Sequence, residues 1–203
     1  MKLKWLGHSC FLIQADGWTV VFDPYQDGSV PGWAPVRAAA DAVFCSHDHG
    51  DHNAKELVTL SGRELPLKVE TLATYHDDKR GLLRGKNTIH ILHGEGMRVA
   101  HLGDLGHMPD KKTMAALKNV DALLIPVGGY FTIDAAQAKA LADETGARVV
   151  IPMHYRTAFA GYDVIGTLDA FTALCDNVRV YESDCFELRA DTPSQTAVLT
   201  HGN

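Results

Sequence analysis

Cysteine is scarce and unpaired in this chain: Cys10, Cys45, Cys175 and Cys185 form no C-x-x-C motif and no dense framework. Their spacing excludes a disulfide scaffold or a cysteine-bound zinc knot, fits buried thiols in a reducing compartment, and makes a cytoplasmic location the expectation. No run of lysine and arginine offers a phosphate-neutralising stripe, and 19 Lys+Arg against 25 Asp+Glu leave a formal charge of -6. Nucleic acid is therefore not an expected partner. Uninterrupted apolar runs are short, and MKLKWLGHSC reaches Gly7-His8-Ser9 before an apolar stretch accumulates. Neither a signal peptide nor a membrane span is expected. Pro/Ser-rich linkers, internal repeats and low-complexity tracts are also missing, so residues 1–203 are read as a single domain with a sizeable core.

What the chain does contain begins with strands. LKWL, CFLIQ and WTVVFD are short and rich in β-branched or aromatic residues, and Ala15-Asp16-Gly17 between the last two is a strong hairpin signal. A Gly/Pro-rich loop follows Asp23-Pro24, and the consecutive apolar residues 42 to 45 predict a central strand covered on both faces. Asn53-Ala54-Lys55-Glu56 has the form of a capping box and predicts a helix ending near Gly62. Strands are expected at 67–75, 87–92 and 97–103. Beyond them the order becomes mixed: helix 110–118, strand ALLIPV, helix 134–144, strand RVVIP, helix 167–175 and strands near 178–181, 185–189 and 195–199.

One stretch stands apart. Residues 45 to 53, CSHDHGDHN, crowd His47, His49 and His52 with Asp48 and Asp51 at the end of a predicted strand. Side chains of these types repel one another once charged, unless a cation gathers them. In the spacing H-x-H-x-D-H, His47 and His49 point to one side of an extended turn, while Asp51 and His52 lie where the chain bends away. One loop can thus feed two adjacent ions. His76 follows the strand VETLATY, Asp104 follows RVAHLG and His154 follows VVIPM. Loops at one edge of a sheet converge in space, which makes these residues a constellation.

That constellation resembles the metallo-β-lactamase superfamily. The carrying residues are His47-x-His49-x-Asp51-His52, Gly103-Asp104 and His154, in that order. More narrowly, WLGHSCFLI, VVFDP, TYHDDKRGLLRGKNT, VAHLGDLGH, PVGGYFTID and IPMHYRT resemble a group of short, single-domain metal-dependent hydrolases near the sugar-acid lactonase branch. The resemblance implies an α/β fold of four layers (αββα), with two mixed sheets face to face, helices on both outer sides, and two divalent ions at the rim. It implies His47, His49 and His76 around one ion, Asp51, His52 and His154 around the other, and Asp104 bridging. His93, His101 and His107 are alternatives to His76 as the third ligand of the first ion; His76 is preferred because it closes a strand, whereas His101 would face away from Asp104.

Asp23 and His8 are candidates for orienting the metal-bound imidazoles from outside. His107 is grouped with Asp51 and Asp104 as a catalytic candidate, and Tyr130, Tyr155 and Arg80 as candidates to hold substrate. The basic stretch Lys79-Arg80, Arg84 and Lys86 could cradle a phosphate or carboxylate. The expected activity is hydrolysis of a small, anionic ester, lactone or phosphodiester by a metal-bridging hydroxide. Zinc is the first choice because nitrogen ligands dominate, with manganese, nickel or iron as alternatives. The rival readings are a metal-binding protein without turnover, a nuclease, and a di-iron redox protein. His49 stands where the redox relatives carry glutamate, and no flavin-binding domain follows. A homo-oligomer is compatible with everything above.

Overall fold

Alternation sorts the first strands into two faces. In the computed structural model, which describes residues 1–201, β1 (Lys2–Gly7), β2 (Cys10–Ala15) and β3 (Trp18–Phe22) form an antiparallel meander. Phe11, Ile13, Val20 and Phe22 enter the main core between the sheets, while Cys10 and Val21 enter a second core on the opposite face. Asp16 and Gly17, at φ 50° and 79°, turn the β2–β3 hairpin, the mirror-type turn that the Asp-Gly pair favours.

Three short strands follow, β4 (Ala38–Ala40), β5 (Ala42–Phe44) and β6 (Val58–Leu60). Next come β7 (Val69–Tyr75), β8 (Lys86–Gly94) and β9 (Met97–His101), another antiparallel meander. The remainder is α1 (Lys111–Leu117), β10 (Ala122–Pro126), α2 (Ala135–Thr145), β11 (Val149–Met153), α3 (Asp169–Thr172), β12 (Val178–Tyr181), β13 (Cys185–Glu187) and β14 (Gln195–Leu199). The smaller sheet has the order β13-β1-β2-β3-β5, the larger β12-β14-β11-β10-β9-β8-β7, and β4 pairs with β6 alone. Every residue of β10, β11 and β14 is buried, as expected of parallel strands covered on both sides.

Local signals explain the helices that form. Asp110 caps α1 by accepting the Thr113 N–H, and Asp134 with Gln137 makes a full capping box for α2, which ends at Gly146. The three helices lie in the part of the chain that builds the larger sheet, with α2 packed on β10, α1 and α3. Among the described residues no helix is long and apolar enough to cross a membrane.

The α/β sandwich of two mixed sheets is as the sequence predicts, with three local corrections. The helix expected from Asn53 is a single 3-10 turn, Lys55–Leu57, followed directly by β6. Asn53 spends its amide on Asp48 rather than on a cap, and Val58, β-branched, buries its side chain in the second core while β6 pairs with β4. The outer face of the smaller sheet is accordingly covered by the loop bearing Tyr25, Val30 and Val36 and by the β4–β6 ladder, not by a helix. Nor is the strand at 42–45 central: β5 is the edge of its sheet, bonded only to β3, and its residues are half-buried. Its consecutive apolar residues arise because Val43 packs on one core and Phe44 on the other. Finally, the helix expected at 167–175 is confined to Asp169–Thr172.

One polar knot ties the second layer down. Asp41 accepts two bonds from the Arg63 guanidinium at 2.8 Å each, one from Ser61 Oγ and one from the Thr19 N–H, while Arg63 lies 4.1 Å over the Trp18 ring. The Arg63, Ser61 and Thr19 bonds hold the Asp41 carboxyl at about 2, against an ordinary 3.8. The stabilisation is fully present above pH 3.8 and is lost as pH falls through about 2. Asp41→Asn is expected to lower the melting temperature at neutral pH, and the gap from wild type should close in thermal melts as the buffer is acidified across that window. A constant gap would show that the knot contributes nothing through its charge.

Candidate metal centre

Turns from the smaller sheet and strand ends from the larger one meet at one edge. The smaller sheet contributes His8 in the β1–β2 turn, Asp23 just after β3, and the 45–53 loop after β5; the larger contributes His76 after β7, Asp104 after β9 and His154 after β11. Asp104, 1% exposed, lies at the middle. Its Oδ2 is 3.3 Å from His76 Nε2, 3.2 Å from His154 Nε2 and 4.0 Å from His47 Nε2, and its Oδ1 is 3.2 Å from His52 Nε2. Asp51 Oδ2 lies 3.8 Å from His52 Nε2 and 3.5 Å from His8 Nε2.

The loop carrying Asp104 can come this close only because of Gly103. At φ 56°, it has no room for a side chain: a Cβ there would meet Ser46 Cβ at 2.4 Å and Asn87 Oδ1 at 2.5 Å. Asn87 Oδ1 accepts the Asp104 N–H at 2.9 Å, and its amide donates to Thr74 Oγ1 and the Leu102 carbonyl. The carboxylate is thus placed by buried hydrogen bonds from the neighbouring strands.

Behind the imidazoles lies a second layer that fixes which nitrogen faces inward. His52 Nδ1 donates to Asp23 Oδ2 at 2.8 Å, because the carboxylate can only accept. Asp23 also accepts the Ser46 N–H and Ser46 Oγ–H, each at 2.6 Å, which leaves Ser46 Oγ to accept from His47 Nδ1 at 2.9 Å. One buried aspartate therefore orients His52 directly and His47 through a serine. His76 Nδ1 donates to the Phe131 carbonyl at 3.1 Å. All three rings keep Nε2 for the centre, the arrangement in which imidazole ligates metal.

Electrostatics divide the rings. Burial pushes His47 down to about 3, and burial with the neighbouring His154 pushes His8 down to about 4, so both offer neutral lone pairs at neutral pH. For His52 burial pulls down, but Asp104 and Asp23 outweigh it and raise the group. Burial opposes ionisation of Asp104 and Asp51; His154 and His52 overcome it at Asp104, and His8 and His52 at Asp51, so both carboxyls stay ionised.

The donors fit bound metal. His47, His49 and His76 bring one ligand atom each within 4.8 Å of the others, as do His8, Asp51, His52 and His154, and as do His47, His52 and Asp104. Within this edge His47 Nε2, His52 Nε2, Asp104 Oδ1 and both ring nitrogens of His8 and His154 are buried without a hydrogen-bond partner. Orphaned polar atoms each cost about 1–3 kcal/mol in an apolar interior. A cation bound here would take up one nitrogen of each ring together with the carboxylate oxygen.

The description of a β-lactamase superfamily domain matches residues 2–154. The chain belongs to this β-lactamase superfamily. Its relatives include a UPF0173 metal-dependent hydrolase of Hyperthermus butylicus, 30% identical in an alignment that covers 76% of this chain and 83% of that protein. Another, from Geobacillus thermodenitrificans, is 28% identical over 77% of this chain and 86% of its own length. Among solved structures, a proposed zinc-dependent hydrolase of the metallo-β-lactamase superfamily from Thermotoga maritima aligns with a TM-score of 0.79 at 33% identity, covering 98% of this chain and 97% of that one. The metallo-β-lactamase fold is therefore a family property of this chain.

Against the superfamily pattern, the structure gathers His47, His49, Asp51, His52, His76, Asp104 and His154. Asp23 stands behind them. The alternatives to His76 lie elsewhere: His93 faces Glu70, and His101 Nε2 is 2.7 Å from the Ser9 carbonyl. His107 is not brought to the centre as a catalytic group, since its Nδ1 donates to the Met108 carbonyl and its Nε2 accepts the Tyr75 N–H. Tyr155 is likewise withdrawn from substrate contact, buried with its ring 5.6 Å from that of Trp5. Arg80 and Tyr130 are exposed, both at positive φ. His8, expected behind the ligands, stands beside them.

Sequence reasoning missed Ser46 and Tyr162. The Tyr162 hydroxyl reaches both the Ser29 carbonyl, at 2.9 Å, and Asp51 Oδ2, at 3.2 Å, and nothing near residue 162 signals this. Ser46 precedes His47 and had a local cue that went unread, a hydroxyl beside a cluster in need of orientation. Asp23→Asn removes the acceptor that organises His47 and His52 and should weaken metal binding about 10–100-fold. Competition against a chromophoric chelator measures it, and an unchanged affinity would remove Asp23 from this role.

Proposed function

We propose that this chain is a hydrolase whose two divalent ions, zinc in the first instance, act on a small anionic ester, lactone or phosphodiester. The observation that carries the reading is the convergence of two donor triads on the single carboxylate of Asp104. His47, His49 and His76 would hold one ion, Asp51, His52 and His154 the other, and Asp104 would lie between them. Ions held there would supply Lewis acidity toward a substrate oxygen and would lower the pKa of water toward neutrality.

The protein's own groups divide the remaining work. Asp51 is held below the usual carboxylate range by His8 and His52, against the effect of burial, so it serves as an ionised acceptor that orients rather than as a store for a proton. The Tyr162 hydroxyl, bonded to Asp51 Oδ2, steadies the carboxylate oxygen that faces His8 and His52. Burial and Asp51 push the phenol well above the ordinary tyrosine range, which keeps it a neutral donor.

Selectivity for an anion is supported by Arg84 rather than by Arg80. The Arg84 guanidinium lies 5.5 Å over the Phe131 ring and 6.0 Å over that of Tyr130, and Phe131 is the residue whose carbonyl holds His76. Buried Asp77 steadies the loop by accepting the N–H groups of Lys79, Gly81, Leu83 and Arg84. A positive charge is thereby kept, on a firm loop, beside the residue whose carbonyl holds His76. The unpaired thiols of Cys10, Cys45, Cys175 and Cys185 support action in a reducing compartment such as the cytoplasm.

The decisive experiment loads the protein with zinc or manganese and screens lactones against phosphodiesters. Asp104→Ala should lose metal and turnover together, with kcat/KM down on the order of a thousandfold. Full metal content in that variant, or undiminished turnover after exhaustive chelation, would refute the mechanism. For a substrate that does turn over, Arg84→Ala should raise KM about tenfold when the substrate is anionic, while kcat changes little and a neutral ester is unaffected. An equal effect on charged and neutral substrates would dissociate Arg84 from anion recognition.

A further inference from the structure

We propose that His8 is itself a metal ligand, the additional imidazole of the ion held by Asp51, His52 and His154. This rests on the metal-centre reading above and extends it to a residue outside the His-x-His-x-Asp-His pattern. His8 is fully buried, and neither of its ring nitrogens has a hydrogen-bond partner. Its Nε2 is 3.5 Å from Asp51 Oδ2, and a His8 ring nitrogen lies within 4.8 Å of ligand atoms from Asp51, His52 and His154. The His8 and His154 rings are 4.1 Å apart between centroids, and the His8 and His52 rings 5.4 Å.

The backbone around His8 is built to aim this ring. His8 and Ser9 form the turn that closes β1 onto β2, and His8 sits at φ 51°, a conformation that side chains with a Cβ rarely adopt. Its carbonyl is gripped from two sides, by Trp5 Nε1 at 2.9 Å and by the His154 N–H at 3.3 Å. The second bond ties the turn directly to a residue of the triad. A histidine placed in a strained turn, buried whole and left without a protein partner fits a ligand; a packing residue would need neither the strain nor the polar atoms.

The assignment makes the two positions unequal. With Asp104 shared, the second ion would be offered His8, Asp51, His52, His154 and Asp104, more donors than tetrahedral zinc accepts, which favours an ion of higher coordination number there. The first position keeps three imidazoles, one of them the exposed His49, and so faces solvent and substrate.

The test uses the wild-type chain loaded with cadmium-113 and labelled with nitrogen-15 at histidine. Scalar coupling between a His8 ring nitrogen and the same cadmium that couples to His52 and His154 is the expected result. Coupling to His52 and His154 without His8 overturns the assignment and leaves the metal centre intact; no cadmium uptake at all overturns the metal reading and this inference with it. A second measurement uses His8→Asn, chosen because asparagine tolerates positive φ. Chelator competition should show one metal equivalent weakened at least about tenfold and the other unchanged. Two equivalents of wild-type affinity in the folded variant would refute the proposal.

Discussion

A carboxylate buried among imidazoles is the constraint on which this structure turns. Asp104 has lost its water, and four histidine nitrogens from His47, His52, His76 and His154 stand within 3.2 to 4.0 Å of it. Protons alone serve such a cluster badly. If every ring were protonated to satisfy Asp104, the rings would repel one another across gaps of about 4–6 Å between centroids, as between His47 and His52 at 4.3 Å. If none were, an ionised carboxylate would sit in the interior with no positive partner. A bound metal cation would resolve the conflict, because it accepts several neutral nitrogens and counters the carboxylate at once.

How the chain assembles that cluster was partly legible in its residues. His47, His49, Asp51 and His52 stand in one loop, and His76, Asp104 and His154 each follow a strand that period and composition reveal, so their meeting at one sheet edge was legible, while their division into ligand groups came only from the resemblance. The helices capped by Asp110 and Asp134 were legible too, because a cap is a local interaction. What escaped depends on distant partners. Asn53 carries a capping signature, yet Val58 is drawn into a core made by Cys10, Val21 and Tyr25, and tertiary burial overrides the local signal. Tyr162 meets Asp51 across 111 positions of sequence, and no spacing rule reaches so far. Tyr155 was misjudged for the converse reason: proximity to His154 in sequence says nothing of which way a side chain turns, and this one turns into the core.

The strained residues form a pattern of their own. Non-glycine residues at positive φ include His8, Asp23 and His154, at 51°, 47° and 53°, and all three border the centre. Such conformations cost about 1–3 kcal/mol each. Glycine would relieve the strain at any of them, but glycine has no imidazole or carboxylate to offer, and here the side chain is what the position requires. The neighbouring strands supply the restraint: β1 and β2 flank His8, β3 precedes Asp23 and β11 precedes His154.

The His154 N–H bonded to the His8 carbonyl gives this strain a consequence for the whole fold. His8 lies on a turn of the smaller sheet and His154 at a strand end of the larger, so these two positive-φ residues also form a joint between the two halves of the sandwich. Metal at the same place would draw on side chains from both sheets, His8, Asp51 and His52 from one, Asp104 and His154 from the other. Any ligand that binds only the folded chain stabilises it in proportion to occupancy. In this molecule that stabilisation would fall on the seam between the sheets, where loops rather than strand ladders hold the edge together. Catalytic geometry and the closure of the sandwich would then rest on the same bonds.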